Sequence, residues 1–269
     1  AWLTALFCRV ISLFLCMRAE YRRKALRRMG LLHRVSPHQI HMPAYEKFSP
    51  HTKAETFILE SLSEDDEKEQ RLDGKVLYDV LRLQGKKPIY YYFRTQTELI
   101  RFAEIFQQSG YRYLHLSCHG NETHLQFTFG QTDYAMFADI FKEKFNNRRL
   151  FVSGCSLGNF EFAKAVFAKS TGMYSVTAPT KKVFFSQTTA FWPAFYYMMH
   201  AWDSTAMKKK RLQDVLARLA QVFEMPMAHY FINTGKQGAV DEQLFTVAGV
   251  DKALVPAKGG LPGEAANVV

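Results

Sequence analysis

Two short apolar runs in the middle of the chain, each stopping abruptly at a turn of small residues, constrain the fold more than any other feature. The first covers Tyr111–Gly120 and ends in a His-Gly pair that contains His119. The second covers residues 150–159 and passes through Ser-Gly-Cys, with Cys155 as the cysteine. Continuous runs of aromatic and branched residues are typical of strands buried on both faces of a parallel sheet. We therefore expect both runs to be neighbouring strands of one sheet.

The segments around these runs alternate between strand and helix patterns. The second run is assigned to a strand at residues 148–155, and further strands are expected at 56–62, 88–94 and 174–178, with a last one at 244–247. Helical periodicity is found at residues 75–83, 97–109, 137–145, 160–169, 188–202 and 204–223, and a hairpin is expected around Gly130. Alternation of this kind predicts an α/β fold with a mostly parallel central sheet and right-handed crossovers.

The positive charge is concentrated at one end of the chain. The whole sequence carries +10, of which residues 1–53 carry +8, so the body is nearly neutral. We divide the chain into a basic leader and linker (1–54), one domain (55–254) and a flexible tail (255–269). Residues 17–29 predict a basic helix, which either packs on the body or contacts a membrane surface or nucleic acid. A near-neutral body argues against nucleic-acid binding by the domain itself.

The cysteines and the first sixteen residues bear on location. Residues 1–16 are apolar apart from Arg9, yet the run is shorter than the ~20 residues that span a bilayer. It also lacks the charged start and cleavage site of a secretory signal. The four cysteines form no Cys-x-x-Cys pair, which favours a reducing compartment over a disulfide framework. We therefore expect a cytoplasmic protein.

A histidine and a cysteine at the carboxyl ends of adjacent parallel strands meet at the edge of the sheet where α/β folds place their sites. An imidazole beside a thiol lowers the pKa of the thiol and accepts its proton. We expect the Cys155 thiol to be exposed at its strand end, close to a helix N-terminus that favours the thiolate. The backbone amides of Gly120 and Cys155 are candidate donors to an oxyanion.

Other uses of these residues are less favoured. A metal site would draw on His115, Cys118, His119 and His124, but neighbouring residues of a strand face opposite sides, and no second cluster completes a tetrahedral set. No metal and no cofactor are therefore expected. Cys118 is a weaker candidate nucleophile because it lies within its strand. The acidic run at residues 64–67 is interpreted as a solvated loop rather than as a cation site.

With these blocks in place, the chain resembles the caspase-like (clan CD) cysteine peptidases, and most closely their bacterial CHAT-type members. In that family an apolar strand ends in His-Gly, and a second ends in Ser-Ala-Cys followed by a small residue and Gly. The likeness covers roughly residues 55–203, including Phe195 and Tyr196 on a later helix. It implies a caspase-like three-layer α/β/α sandwich, with His119 as catalytic histidine, Cys155 as nucleophile and Gly120 as an oxyanion donor.

The sequence departs from the family pattern at several points. Gly154 replaces the alanine before the cysteine, and His119 lies only 36 residues before Cys155, closer than the ~50 of caspases. No residue matches a specificity pocket, so cleavage after aspartate is not implied. The expected function is a cysteine endopeptidase that cleaves a protein substrate and is regulated by a partner protein. The alternative is a catalytically inactive caspase-like scaffold or adaptor domain.

Overall fold

The computed structural model describes residues 52–232 and 240–246, so most of the basic leader and the tail lie outside the described residues. Nine strands occur within these ranges: β1 (Lys53–Ser61), β2 (Ile89–Tyr92), β3 (Tyr111–Gly120), β4 (His124–Phe127), β5 (Gly130–Asp133), β6 (Arg149–Ser153), β7 (Ser175–Pro179), β8 (Met227–Ile232) and β9 (Val240–Phe245). Seven form the central sheet in the order β2-β1-β3-β6-β7-β8-β9. The first five of these are parallel, and β8 and β9 extend the sheet antiparallel.

Helices cover both faces of this sheet. They are α1 (Glu64–Lys68), α2 (Asp73–Leu83), α3 (Gln96–Ser109), α4 (Tyr134–Ile140), α5 (Phe160–Ala168), α6 (Phe185–Trp202) and α7 (Lys209–Val222). One apolar core packs α3, α4 and α5 against the sheet, and a second packs α2, α6 and α7 against its other face. The predicted three-layer α/β/α sandwich with a mostly parallel sheet is therefore confirmed.

Side chains alternate between the two cores along each strand. On β3, Leu116 and Cys118 belong to the first core, whereas Tyr113 belongs to the second. The period of two follows from strand geometry and assigns His119, like Tyr113, to the second face. The hairpin β4–β5 pairs with the last two residues of β3 and extends the strand beyond the central sheet.

Several expectations about single elements were wrong. The hairpin is present, but its second strand begins at Gly130 rather than after it. The helix expected at 137–145 is α4, which starts earlier because Asp133 caps it. The helix expected at 204–223 begins only at Lys209. The single late strand expected at 244–247 is instead the antiparallel pair β8 and β9, which sequence periodicity did not separate from the surrounding irregular segment.

A row of polar side chains crosses the second face of the sheet near its carboxyl edge. Glu60 on β1, Ser117 on β3 and Ser153 on β6 are direct neighbours in the register, and all three are fully buried. Glu60 accepts hydrogen bonds from the Gly74 amide at 2.7 Å and from the Tyr90 hydroxyl at 2.7 Å. Burial, and secondly the nearby negative charge of Asp73, raise the pKa of Glu60 to about 8. Glu60 is therefore protonated in the folded protein at neutral pH.

This shift predicts a pH-dependent contribution to stability. A carboxyl whose pKa is raised from 4.5 to about 8 stabilises the fold fully below pH 4.5 and loses that contribution as the pH rises through 8. The difference in unfolding free energy between wild type and Glu60→Gln should therefore fall by a few kcal/mol from pH 5 to pH 8.5. Urea unfolding at a series of pH values measures this difference in unfolding free energy, and Glu55→Gln on the same strand is the control. A difference that does not change with pH contradicts the prediction.

Candidate active site

His119 and Cys155 line the same open pocket at the carboxyl edge of the sheet. The pocket has a volume of about 590 Å³ and is also lined by Gly120, Ser156 and Lys182. His119 is the penultimate residue of β3, and Cys155 follows the end of β6 by two residues. The register continues to Ser117 opposite Ser153, two residues before each of them. The structure thus brings together the three residues proposed from the sequence, whose catalytic roles stay predictions.

Cys118 faces the other way. Its side chain is fully buried in the core formed with α3, α4 and α5, whereas Cys155 lies in the core on the opposite face. Burial is the main cause that raises the pKa of the Cys118 thiol well above its ordinary value. Both cysteines are free thiols. This arrangement matches the expectation that Cys118 lies within its strand.

The closest polar partner of His119 comes from the acidic run that the sequence assigned to a solvated loop. Asp66 Oδ2 lies 2.6 Å from His119 Nε2, and only 3% of the Asp66 side chain is exposed. The loop interpretation was wrong, because residues 64–68 form the short helix α1. Ser63 caps that helix in a reciprocal capping box with Asp66, and this turns the carboxylate inward.

Asp66 is held as an anion. Burial alone would oppose its ionisation, but hydrogen bonds from His119, Ser63 and Arg71 outweigh burial and lower the pKa of Asp66 below its ordinary range. Arg71 donates to the second carboxylate oxygen from Nε at 2.9 Å and from Nη2 at 2.7 Å. Charge-assisted bonds of this kind fix the carboxylate in position. A fixed carboxylate on one ring nitrogen holds the imidazole in one orientation.

The Cys155 thiol is not exposed, contrary to the expectation from sequence. Only 5% of the residue is accessible, and its sulfur is enclosed by the backbone of Val183, whose amide nitrogen lies 3.3 Å away and whose carbonyl oxygen lies 3.6 Å away. Burial raises the pKa of the Cys155 thiol, although the Val183 amide and the charge of Lys182 act in the opposite direction. The helix that follows Cys155 is α5, and it begins at Phe160 as predicted from the sequence.

A short segment therefore covers the thiol, and we call residues 180–184 the strap. Ser156, which has a positive φ of 57°, donates its amide to the Lys181 carbonyl at 3.1 Å. Immediately after the strap, the Phe185 ring packs edge-on against His119 with 5.9 Å between ring centroids. The strap and the residue after it thus contact both the thiol and the imidazole.

Leu157 packs between the two turns that carry the site. A Cβ atom built on Gly120 would lie 2.7 Å from Leu157 Cγ, and one on Gly154 would lie 2.7 Å from Leu157 Cδ1. The same Cβ on Gly154 would lie 2.8 Å from the Cys118 carbonyl oxygen. Leu157 is fully buried. The His-Gly and Gly-Cys turns are therefore glycine-containing because this leucine occupies the space beside both of them.

Neither a metal-binding group nor a membrane-spanning helix is found in residues 52–232 and 240–246. In these ranges no three His, Cys, Asp or Glu side chains are grouped so that they could hold a metal ion. Nor does any helix in the described part of the chain have the length and apolar character needed to cross a bilayer.

Comparisons with known proteins give weak likenesses. No family model matches the chain, and no curated protein matches it significantly. Among solved structures it is similar to an inactive zymogen of a C11 protease from Parabacteroides distasonis (10% identity over 68% of this chain and 63% of that one), to the Arg-specific cysteine proteinase gingipain R (13%, 66% and 45%) and to caspase-1 from Spodoptera frugiperda (12%, 79% and 93%). Each TM-score is 0.44.

The chain thus spans less than two thirds of the length of the first two of these structures. At such identities and scores, the likenesses carry no residue role. Membership of the CHAT-type group stays a prediction.

Because its thiol is enclosed, we expect Cys155 to be alkylated slowly in this conformation. Because burial raises the pKa of Cys155, its thiolate fraction at pH 7.5 is below that of an ordinary thiol. Iodoacetamide should alkylate Cys155 roughly tenfold more slowly than glutathione, as followed by mass spectrometry of the Cys155 peptide. Lys182→Ala should slow the reaction by a further factor of about two, because a charge that favours the thiolate is lost.

Lys181→Ala is the matched control for the lysine, since it changes the neighbouring exposed side chain. Alkylation of the wild type as fast as that of glutathione would contradict the enclosed geometry.

Proposed function

We propose that the chain is a cysteine endopeptidase of the caspase-like type, in which Cys155 is the nucleophile, His119 the acid–base and Asp66 the group that positions His119. The observation that carries the proposal is the contact of 2.6 Å between a buried, ionised Asp66 and His119, which lines the same pocket as Cys155. An imidazole and a thiol that line one cleft, with a buried carboxylate bound to the imidazole, form the arrangement by which nucleophilic residues are activated.

The reaction follows from these roles. The Cys155 thiol transfers its proton to the imidazole of His119, and the thiolate attacks the carbonyl carbon of a peptide bond. Amides at Gly120 and Cys155 would donate to the oxyanion that forms. The imidazolium, stabilised by Asp66, then gives its proton to the leaving amine. Water activated by His119 hydrolyses the resulting thioester and returns the thiol.

The conformation described above is best understood as a resting state. The Val183 backbone occupies two of the directions around the sulfur, so movement of the strap would widen the path by which a peptide carbonyl reaches it. Movement of the strap would also remove the burial that raises the pKa of Cys155. We infer that binding of a partner protein or of the substrate itself displaces the strap, in keeping with a regulated cytoplasmic peptidase of the CHAT type.

The same burial favours a second candidate function. An enclosed thiol with a raised pKa is also what a non-catalytic scaffold or adaptor of this fold would contain, because cysteine is among the most commonly buried residue types. The two functions differ in whether any condition makes Cys155 cleave a peptide.

Cleavage of peptides tests the proposed function. A peptide library made by digesting a proteome is incubated with wild type and with Cys155→Ala, and new termini are identified by mass spectrometry. We expect new termini with wild type only. Equal products from both proteins, or none after strap variants such as Phe184→Gly and Val183→Gly are tried, would favour the scaffold.

Asp66→Asn tests the role of the carboxylate. The substitution keeps the shape but removes the charge that stabilises the imidazolium, so kcat on a cleaved peptide should fall by roughly 100-fold or more. Asp65→Asn is the matched control, because Asp65 lies on the same helix with 81% of its side chain exposed. Thermal unfolding confirms that each variant is folded. Activity of the folded Asp66→Asn protein equal to that of Asp65→Asn would remove Asp66 from the mechanism.

A further inference from the structure

The carboxylate of Asp73 bridges the strands that carry the two proposed catalytic residues. Asp73 is the first residue of α2, and its side chain contacts two serines of the sheet. Ser117 Oγ donates to Asp73 Oδ1, and Ser153 Oγ donates to Asp73 Oδ2 at 2.6 Å. Ser117 and Ser153 are fully buried, and Asp73 is 4% exposed. One carboxylate thus binds β3 with one oxygen and β6 with the other.

The position of this bridge relative to the site is fixed by strand geometry. Ser117 and Ser153 are direct partners in the parallel ladder, and each lies two residues before His119 or Cys155. Side chains two residues apart on a strand point to the same face and are ~6.5 Å apart. The bridge therefore lies two residues before the site along each strand, on the same face of the sheet as the imidazole.

The pair is also the last point at which the two strands are joined. The β3–β6 ladder ends at Ser117 and Ser153, and β6 itself ends at Ser153. Beyond it, β3 turns toward the hairpin and pairs with β4 instead. The separation of His119 from Cys155 thus depends on how firmly this last pair is held.

Each polar group of the bridge has a hydrogen-bond partner. A serine hydroxyl has one hydrogen, so Ser117 cannot donate at once to Asp73 and to Glu60 Oε1, which lies 3.1 Å away. Because the raised pKa keeps Glu60 protonated at neutral pH, Glu60 can supply the hydrogen of that second bond. Asp73 then accepts from both serines. Removal of its carboxylate would leave two buried hydroxyls without their acceptor, which destabilises this end of the sheet.

The element that carries Asp73 is itself anchored. The amides of Gly74 and Lys75 donate to the two oxygens of Glu60 at 2.7 and 3.2 Å, so the first turn of α2 is fastened to β1. A Cβ on Gly74 would lie 3.1 Å from Glu60 Oε1, which shows how closely the helix start approaches the strand. Asp73 therefore reaches β3 and β6 from a fixed support.

We propose that Asp73 is a positioning residue: by bridging Ser117 and Ser153 it sets the separation of His119 and Cys155 at the tips of β3 and β6. This assignment rests on the proposed function for its consequence in catalysis, whereas the bridge itself is a property of the fold. It predicts that loss of the carboxylate lowers the rate of the chemical step more than it weakens substrate binding, because no substrate group reaches the buried bridge.

The test compares Asp73→Ala, Asp73→Asn and Ser153→Ala with Asp79→Ala, an exposed aspartate on the same helix that pairs with Lys75. With a peptide cleaved by wild type, Asp73→Ala should lower kcat at least tenfold and change KM by no more than about twofold. Asp73→Asn should stay within about threefold of wild type, since its amide can donate to Ser117 and its oxygen can accept from Ser153. Ser153→Ala removes one of the two hydrogen bonds to Asp73 and provides a second variant if Asp73→Ala does not fold.

A second measurement does not need a substrate. Hydrogen exchange of the amides at residues 115–119 and 151–155 should be at least tenfold faster in Asp73→Ala than in Asp79→Ala, and near the wild-type rate in Asp73→Asn. If the strand tips loosen but no variant or wild type cleaves a peptide, the proposed function fails and the bridge stands. If wild type cleaves peptides while kcat and exchange in Asp73→Ala or Ser153→Ala match Asp79→Ala, the bridge fails and the function stands. An asparagine variant as impaired as the alanine variant also overturns the positioning role.

Discussion

The need to surround buried carboxyl groups with donors shapes the carboxyl edge of this sheet. Glu60, Asp66 and Asp73 have all left water, and such groups are tolerated inside a protein only when hydrogen bonds replace the solvent. Each solves the problem differently. Asp66 remains an anion among three donors, Glu60 keeps its proton, and Asp73 takes two serine hydroxyls. The helices and strands around the pocket are fastened to one another by these bonds.

Two opposing conditions therefore coexist at the pocket. The imidazole is oriented by an ionised carboxylate, as an acid–base group needs, while the thiol is enclosed and its pKa raised. These conditions are compatible if orientation is built into the rigid sheet edge and access is controlled by the strap. Under the proposed function, such a design would protect Cys155 from oxidants and alkylating agents until the strap is displaced, because the thiolate is the species that such reagents attack.

A feature of this structure can be predicted from the sequence when the residues that determine it are close together in the chain. Continuous apolar runs gave the parallel strands, and small-residue turns at their ends gave His119, Gly120 and Cys155, because both patterns lie within ten residues. The contact between Asp66 and His119 was not predicted. The capping-box spacing of Asp66 from Ser63 indicates a helix start, but the contact with His119 joins residues 53 positions apart. The polar row was missed for the same reason, since Glu60, Ser117 and Ser153 meet only through strand register.

The burial of Cys155 could not be predicted from local sequence patterns either. The segment that covers it lies at Val183, 28 residues further along, and nothing in the sequence near Cys155 indicates that contact. The antiparallel strands β8 and β9 were obscured because β9 mixes charged and apolar residues at the sheet edge. In each case the deciding interaction is between distant parts of the chain.

The leucine that fills the space beside both glycine turns has a consequence for how this site can change over time. Because Leu157 touches the positions where Gly120 and Gly154 lack a side chain, the three positions share one fixed volume. An alanine at position 154, as the resembling family has before its cysteine, also meets the Cys118 carbonyl and so requires a backbone shift as well as a smaller residue at 157. Homologous chains that carry that alanine should therefore show compensating loss of bulk three residues later, and the two substitutions should be inherited together.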